Sequence, residues 1–515
     1  MKHLSGLDSL FLAMEQGNQY MHVAGVGIYD PSTAPGGKVR FKSVLNFFSE
    51  QINRSRVFRR RLVVAPMGLD RPYWIEDAEV DIEYHVRHIS LPHPGDWRQL
   101  MIQVARIHSR PLDMTKPLWE SYIIEGLDNI PGIPEGSFAM YTKFHHSAVD
   151  GEAGAALIKA LHSLSPVTED AAAGAPIIVA DRDPTRAELY AHAVSNRAKQ
   201  VFDGSRLLME LGSRAVRAGA DMVVSGKAAE MGVKFASQRF GGKKASAEEV
   251  AGSKDLPRFK VHTRFDNDVS AHRVVDAVGF SLADCRKIRQ HVADVTINDI
   301  FLAATSGAIR KYLVAKGELP VRTLNAMMPI STRGTLKDAN AGNQIGMSAI
   351  PLRTDIADPL ECLLAVRRGT GKSKALNTVL GKDLPMKVLQ ILPASVAERI
   401  LRMTVMAMSN VVVSNVRGPD EPMYMAGAQL VLFLPVSIAF TGIGLNITGF
   451  SYNGTLWVCF VSCREMIPDP QFFSQCLDEA FEDLVTAAIA RGGKKRANAA
   501  PVKTAIRKTT RRQKA

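Results

Sequence analysis

The run His145-His146-Ser147-Ala148-Val149-Asp150-Gly151 holds the most concentrated chemistry in the chain. A neutral imidazole titrates near about pH 6.5, so it can accept a proton at neutral pH without strong tuning. Asp150, four residues on, can hold the turn through an ion pair or orient a ring. Residue chemistry alone leaves three readings open. One ring acts as a general base, or both rings are satisfied structural groups, or the pair ligates a metal. The metal reading is the weakest: adjacent residues on extended backbone project in different directions, and no further ligands sit at a recognisable spacing. No metal and no resident cofactor are expected.

Other patterns fail on inspection. The stretch RRGTGKSK (367–374) ends like a phosphate-binding loop at Gly371-Lys372-Ser373. The first glycine of that pattern falls on Val366, however, and no strand leads into it. No G-x-S-x-G elbow is present, so a serine hydrolase lacks its signature. Cys285, Cys362, Cys459, Cys463 and Cys476 form no C-x-x-C pair and occupy no nucleophile context. An odd, scattered set suits a reducing compartment.

The elements around the histidines read as α/β. Residues 137–144 (SFAMYTKF) read as a strand that ends at the histidine pair, and residues 151–164 as a helix with an Ala/Leu/Ile face. Strands are also expected at 20–30, 82–90 and 121–127. Helices are expected at 41–52 and at 97–110, the latter with Leu100, Val104 and Ile107 on one side. Residues 166–185 read as a surface connection, 186–240 as largely helical, and 241–258 as a loop. A second α/β section spans about 260–490. Its helices are expected at 298–316, 359–376 and 470–490, and its strands near 323–330, 345–353 and within 410–462. This gives lobes at 1–185 and 260–490, a helical connection at 186–259, and a basic, disordered tail at 491–515.

The chain has 515 residues, 46% hydrophobic and 22% charged, which is ordinary for a folded protein with more than one large core. Its net charge of +13 is concentrated in the tail, which carries ten Lys/Arg and no acid. The remainder holds 54 basic against 51 acidic residues, so no nucleic-acid-binding surface is expected. Residues 422–463 contain no charge, yet Pro435, Gly442, Gly444, Asn446 and Gly449 interrupt them. They read as consecutive buried strands, not a membrane span. Charges near the start break any apolar signal segment.

The whole set of landmarks resembles the wax ester synthase/diacylglycerol acyltransferase family. HHSAVDG is similar to that family's HHxxxDG signature. LSGLDSLFLAME (4–15), MHVAG (21–25), Pro117-Leu118-Trp119-Glu120, Asn298-Asp299, PISTR (329–333), GNQIG (342–346), SNVRGP (414–419) and LNITGFSYNGTL (445–456) follow in the family's order. HxxxD alone is shared with other CoA-dependent acyltransferases and with peptide-synthetase condensation domains, which would require a carrier-protein partner. The resemblance covers about residues 1–490. One departure is Arg417, which stands where the family pattern SNVPGP has proline and puts the adjacent pocket shape in question.

The resemblance implies two chloramphenicol-acetyltransferase-like lobes with mixed sheets and an active-site tunnel at their interface. It implies acyl-CoA:diacylglycerol O-acyltransferase activity forming triacylglycerol. Wax ester synthesis on long-chain alcohols is one alternative, and a non-catalytic lipid-binding protein on the same scaffold is another. Acyl-CoA is then a substrate, and its partner is diacylglycerol or a fatty alcohol. By the same resemblance His146 is the general base, His145 supports it by shaping the turn, and Asp150 orients the turn through an arginine, with Arg333 the candidate. Gly151, Asn298, Ser414 and Asn415 are candidates for substrate or oxyanion binding. The expected location is cytoplasmic, peripheral on the inner face of the membrane or on lipid droplets.

Overall fold

The computed structural model describes residues 1–52, 55–149, 161–166, 180–200, a few residues between 202 and 209, and 259–331, 345–380 and 392–498. Asp150, Gly151, residues 151–160 of the expected helix, Arg333, the loop at 241–258 and the tail beyond 498 lie outside the described residues.

Two mixed six-stranded sheets organise these residues. The strands in chain order are β1 (His22–Asp30), β2 (Val86–Ser90), β3 (Trp119–Glu125), β4 (Phe138–His145), β5 (Arg273–Ser281) and β6 (Asn325–Ser331). They continue with β7 (Ile345–Pro351), β8 (Val411–Arg417), β9 (Tyr424–Met425), β10 (Ala428–Val436), β11 (Asn446–Tyr452) and β12 (Thr455–Cys463). The first sheet runs β9-β10-β1-β4-β3-β2 and the second β7-β6-β8-β11-β12-β5. Every residue of β4 is buried, which is why its sequence shows a nearly continuous apolar run instead of alternation.

The charge-free stretch 422–463 supplies β9 to β12. Within it, β10 leaves the second lobe and pairs antiparallel with β1, so the C-terminal half completes the first sheet. No helix among the described residues is long and apolar enough to cross a membrane.

Five helices matter for the site: α1 (Gly6–Met14), α2 (Trp97–His108), α3 (Ile297–Ala315), α4 (Pro359–Leu380) and α5 (Ala394–Met403). Helix α2 makes the crossover between the parallel strands β2 and β3. Its Leu100, Val104 and Ile107 share one buried cluster with Val274 and Val278 of β5, so both lobes pack on it. The Gly371-Lys372-Ser373 triplet lies inside α4, without the strand-to-helix turn that phosphate binding needs.

Three expected boundaries are corrected. The helix expected over 151–164 does not include residues 161–164, where Ser163 forms a β-bridge with Tyr424 instead. Residues 82–90 alternate like a strand, but Ile82–His85 form a helical turn because the Asp81 carboxylate accepts the Tyr84 N–H at 3.1 Å. The final helix, Pro470–Asn498, continues into the first eight residues of the segment read as a disordered tail. All five cysteines are unpaired and buried.

Candidate active site

Strand β4 carries the histidine pair to the end of the first sheet. The His145 N–H donates to the Leu118 carbonyl at 3.0 Å, and the His146 N–H donates to the Met21 carbonyl at 2.7 Å. The Pro117-Leu118-Trp119 element therefore works through packing and backbone bonding. Its Trp119 indole donates to the Phe58 carbonyl at 3.0 Å and stacks on His85 at 4.5 Å.

The two histidines differ in burial and surroundings. His145 is fully buried. Its Nδ1 accepts the Ser147 N–H at 3.1 Å and meets the Ser147 hydroxyl at 2.7 Å. Because Nδ1 is an acceptor, Nε2 carries the proton and donates to Glu15 Oε2 at 3.0 Å. Both nitrogens are committed. His146 is half-buried, and one face of its ring stacks on Phe11 of α1, with centroids 4.0 Å apart.

Phe11 places His146 at the lobe junction. It belongs to a buried cluster with Leu7 and Met21 from the first lobe and Met327, Ala397, Leu401 and Val412 from the second. Glu15, at the end of α1, fixes the same corner twice: its Oε2 accepts from His145 and also from the Met21 N–H at 2.9 Å. The carbonyl of Met21 in turn holds His146. Within LSGLDSLFLAME nothing in the sequence alone gives Glu15 a role. An acid closing an apolar helix was the available signal, but its partner lies 130 positions away.

Behind this corner sits a group of neutral rings. His22 stacks on Tyr20 and lies 6.1 Å from His145 and 6.5 Å from His108, centroid to centroid. His108 Nε2–H donates to the Ser437 carbonyl at 3.0 Å, and its Nδ1 accepts from the Tyr141 hydroxyl at 2.8 Å. Burial pushes the His108 imidazole down to about 3, and the Arg273 and Lys143 cations add to that. Burial likewise holds His22 well below its ordinary value.

An unfolded histidine protonates near about pH 6.5 while folded His108 stays neutral, so its stabilisation is complete above that pH and is lost on acidification toward about 3. The expected loss from His108 is about 1 kcal/mol per pH unit within that window. Urea unfolding across it should give a shallower pH slope for His108→Gln than for wild type. Equal slopes would reject a buried, neutral His108.

The second lobe places its candidates on two faces of one sheet. Along β8, Val412 joins the cluster of Phe11 and Val416 packs on the first-lobe core, whereas Val411 and Val413 enter the core shared by α3. Alternation therefore turns Ser414 toward the first lobe and Asn415 toward α3. The Asn415 amide oxygen lies over Gly449, and Phe301 of α3 reaches the same spot. Asn298, one turn before Phe301, does not cap α3. Thr296 and Asp299 form the capping box, and Thr370 donates to Asp299 at 2.9 Å. The side chains of Asn298, Ser414 and Asn415 have no hydrogen-bond partner among the described residues. Arg417 points to solvent and pairs with Asp420 at 2.8 Å.

Two cavities, of about 350 and about 460 Å³, open along the seam between α2 and β5, and neither is lined by His146. No group of three or more His, Cys, Asp or Glu among the described residues is arranged to hold a metal ion.

The chain is similar to known proteins along nearly its whole length. A family model described as the wax ester synthase/diacylglycerol acyltransferase catalytic domain matches residues 4–301, and one described as the WS/DGAT C-terminal domain matches 341–485. The chain is 32% identical over 489 residues to the O-acyltransferase WSD of Acinetobacter baylyi, covering 94% of this chain and 96% of that protein. The solved wax ester synthase/diacylglycerol acyltransferase from Marinobacter aquaeolei VT8 matches with a TM-score of 0.60 at 26% identity, over 95% of this chain and 100% of that one. The first condensation domain of the calcium-dependent antibiotic synthetase shares the fold, with a TM-score of 0.52 at 14% identity, over 95% of this chain and 96% of that one. With both family models matched in order and a relative this similar along nearly its whole length, the chain belongs to the wax ester synthase/diacylglycerol acyltransferase family of O-acyltransferases.

Proposed function

We propose that the chain transfers a long acyl group from acyl-CoA to the free hydroxyl of diacylglycerol, forming triacylglycerol, with His146 as general base. The observation that carries this reading is the place of His146, half-buried where the lobes meet and stacked on Phe11 of the cluster that both lobes build. His145, bonded to Glu15 and Ser147, is fully buried behind it.

The imidazole takes the hydroxyl proton as the oxygen attacks the thioester carbonyl. The tetrahedral oxyanion collapses, the C–S bond breaks, and the imidazolium returns the proton to the leaving thiolate. A thioester is already activated, so one base and one oxyanion donor suffice once both substrates are held together. Ser414 and Asn298, whose side chains have no hydrogen-bond partner among the described residues, are the donors we assign to the carbonyl oxygen or acceptor, with Asn415, Asp150 and Gly151 in supporting roles. The acyl chain would occupy an apolar passage between the lobes, where each buried CH₂ contributes about 0.8 kcal/mol.

The second reading is wax ester synthesis on a fatty alcohol, since the family description and the name of the Marinobacter relative carry both activities. Offering purified protein acyl-CoA with diacylglycerol against acyl-CoA with hexadecanol separates the two. Higher kcat/KM on diacylglycerol is expected, and a preference for hexadecanol would reverse the assignment. Both acceptors partition into lipid, so peripheral contact with a membrane or droplet surface is part of the proposal. Helix α5 supports it by leaving Val396, Ile400 and Met403 exposed while Ala397 and Leu401 pack beside Phe11. Failure of the protein to float with diacylglycerol-containing vesicles would remove that part.

A further inference from the structure

The smaller seam cavity has a charge pattern that acyl transfer at His146 does not use. Helix α2 contributes Arg98 and Arg106, β5 contributes Arg273 with His272 beside it, and the turn after β12 contributes Arg464. No Asp or Glu lines this space of about 350 Å³. Among the described residues, none of the four guanidiniums forms an ion pair. Arg273, nearly buried, is held by backbone carbonyls, including that of Asn18, and by Cys463 Sγ at 3.2 Å. Of the acids next to lining residues in sequence, Glu465 is taken by His272 at 3.0 Å and by the Ser270 hydroxyl at 2.7 Å, and Asp469 by the Tyr312 hydroxyl at 2.7 Å and by Lys316.

Four unpaired guanidiniums in one concavity repel one another and focus a positive potential there. Planar guanidinium groups match phosphate oxygens bidentately, and such contacts are among the strongest polar ones. The inner wall also leads to the histidines. Ser109 lines the cavity and follows His108, which neighbours His22, which neighbours His145. Arg273 bonds the segment that joins Phe11's helix to β1.

We propose that the seam cavity bounded by Arg98, Arg106, Arg273 and Arg464 seats the phosphates of the nucleotide end of acyl-CoA, with the pantetheine arm directed inward toward His146. This rests on the acyl-CoA reading given above. Phospholipid headgroups carry the same chemistry, but a bilayer presents them to protruding surfaces, and the cavity is recessed between lobes.

The test uses the full chain and the variant R106E/R464E, both substitutions being at exposed positions. Calorimetry with CoA and with adenosine 3′,5′-bisphosphate reads binding without requiring turnover. Both should bind wild type, and the variant should weaken each by about tenfold or more. In transfer assays, the ratio of kcat/KM for acyl-CoA to that for the matching acyl-pantetheine should fall by a similar factor. Unchanged CoA affinity in the folded variant would overturn the proposal. So would a loss of binding to phosphatidylglycerol vesicles with CoA affinity retained, which would assign the cavity to headgroups. If wild type binds CoA and the variant does not, while neither forms ester, the cavity assignment stands and the transfer reading falls.

Discussion

Glu15→Ala is expected to cost both stability and activity. The carboxylate accepts the His145 Nε2–H and the Met21 N–H through one oxygen. Alanine leaves two donors unpaired in a nearly closed corner, at about 1–3 kcal/mol for each buried group. It also releases Met21, whose carbonyl holds the His146 backbone at 2.7 Å. Small displacements of a catalytic group are expensive, about 10²-fold for 1 Å. Glu15→Gln keeps an oxygen in the same place and loses mainly the charge. Wild-type, Gln and Ala proteins should therefore rank in that order in both urea midpoint and kcat for ester formation. An alanine variant with wild-type kcat would show that the corner does not position His146.

Much of this arrangement was legible in the sequence, for identifiable reasons. The strand before His145 is buried on both faces, so it reads as a mainly apolar run broken only by Thr142 and Lys143. The glycines and proline within 422–463 mark its division into strands. What was hidden depends on long-range contacts. Nothing local to Ala428–Val436 says that it pairs with His22–Asp30 four hundred positions earlier. Glu15, His22 and His108 meet only because β1, β4 and α2 converge. Ser414 and Asn415 look like one functional pair in sequence, but strand alternation sends them to opposite faces. At 82–85, capping by Asp81 overrode an alternating pattern.

His146→Ala is expected to lower kcat for ester formation by about 10²–10⁴-fold, the usual contribution of a positioned general base. The loss should fall on kcat, because the imidazole acts on the hydroxyl proton in the transition state and adds little to ground-state binding of acyl-CoA. His145→Ala is a different lesion: it strips Glu15 and Ser147 of their shared partner, so its defect should include lowered stability. His146 is only half-buried, so its replacement should disturb the fold less than that of the fully buried His145.

The most direct measurement is single-turnover ester formation by wild type and His146→Ala, both saturated with acyl-CoA and diacylglycerol and matched in circular dichroism. The wild type should form triacylglycerol and release CoA together, and the variant should be slower by at least about a hundredfold. Ester formation at the wild-type rate by the folded variant would contradict the assignment of His146 as the base.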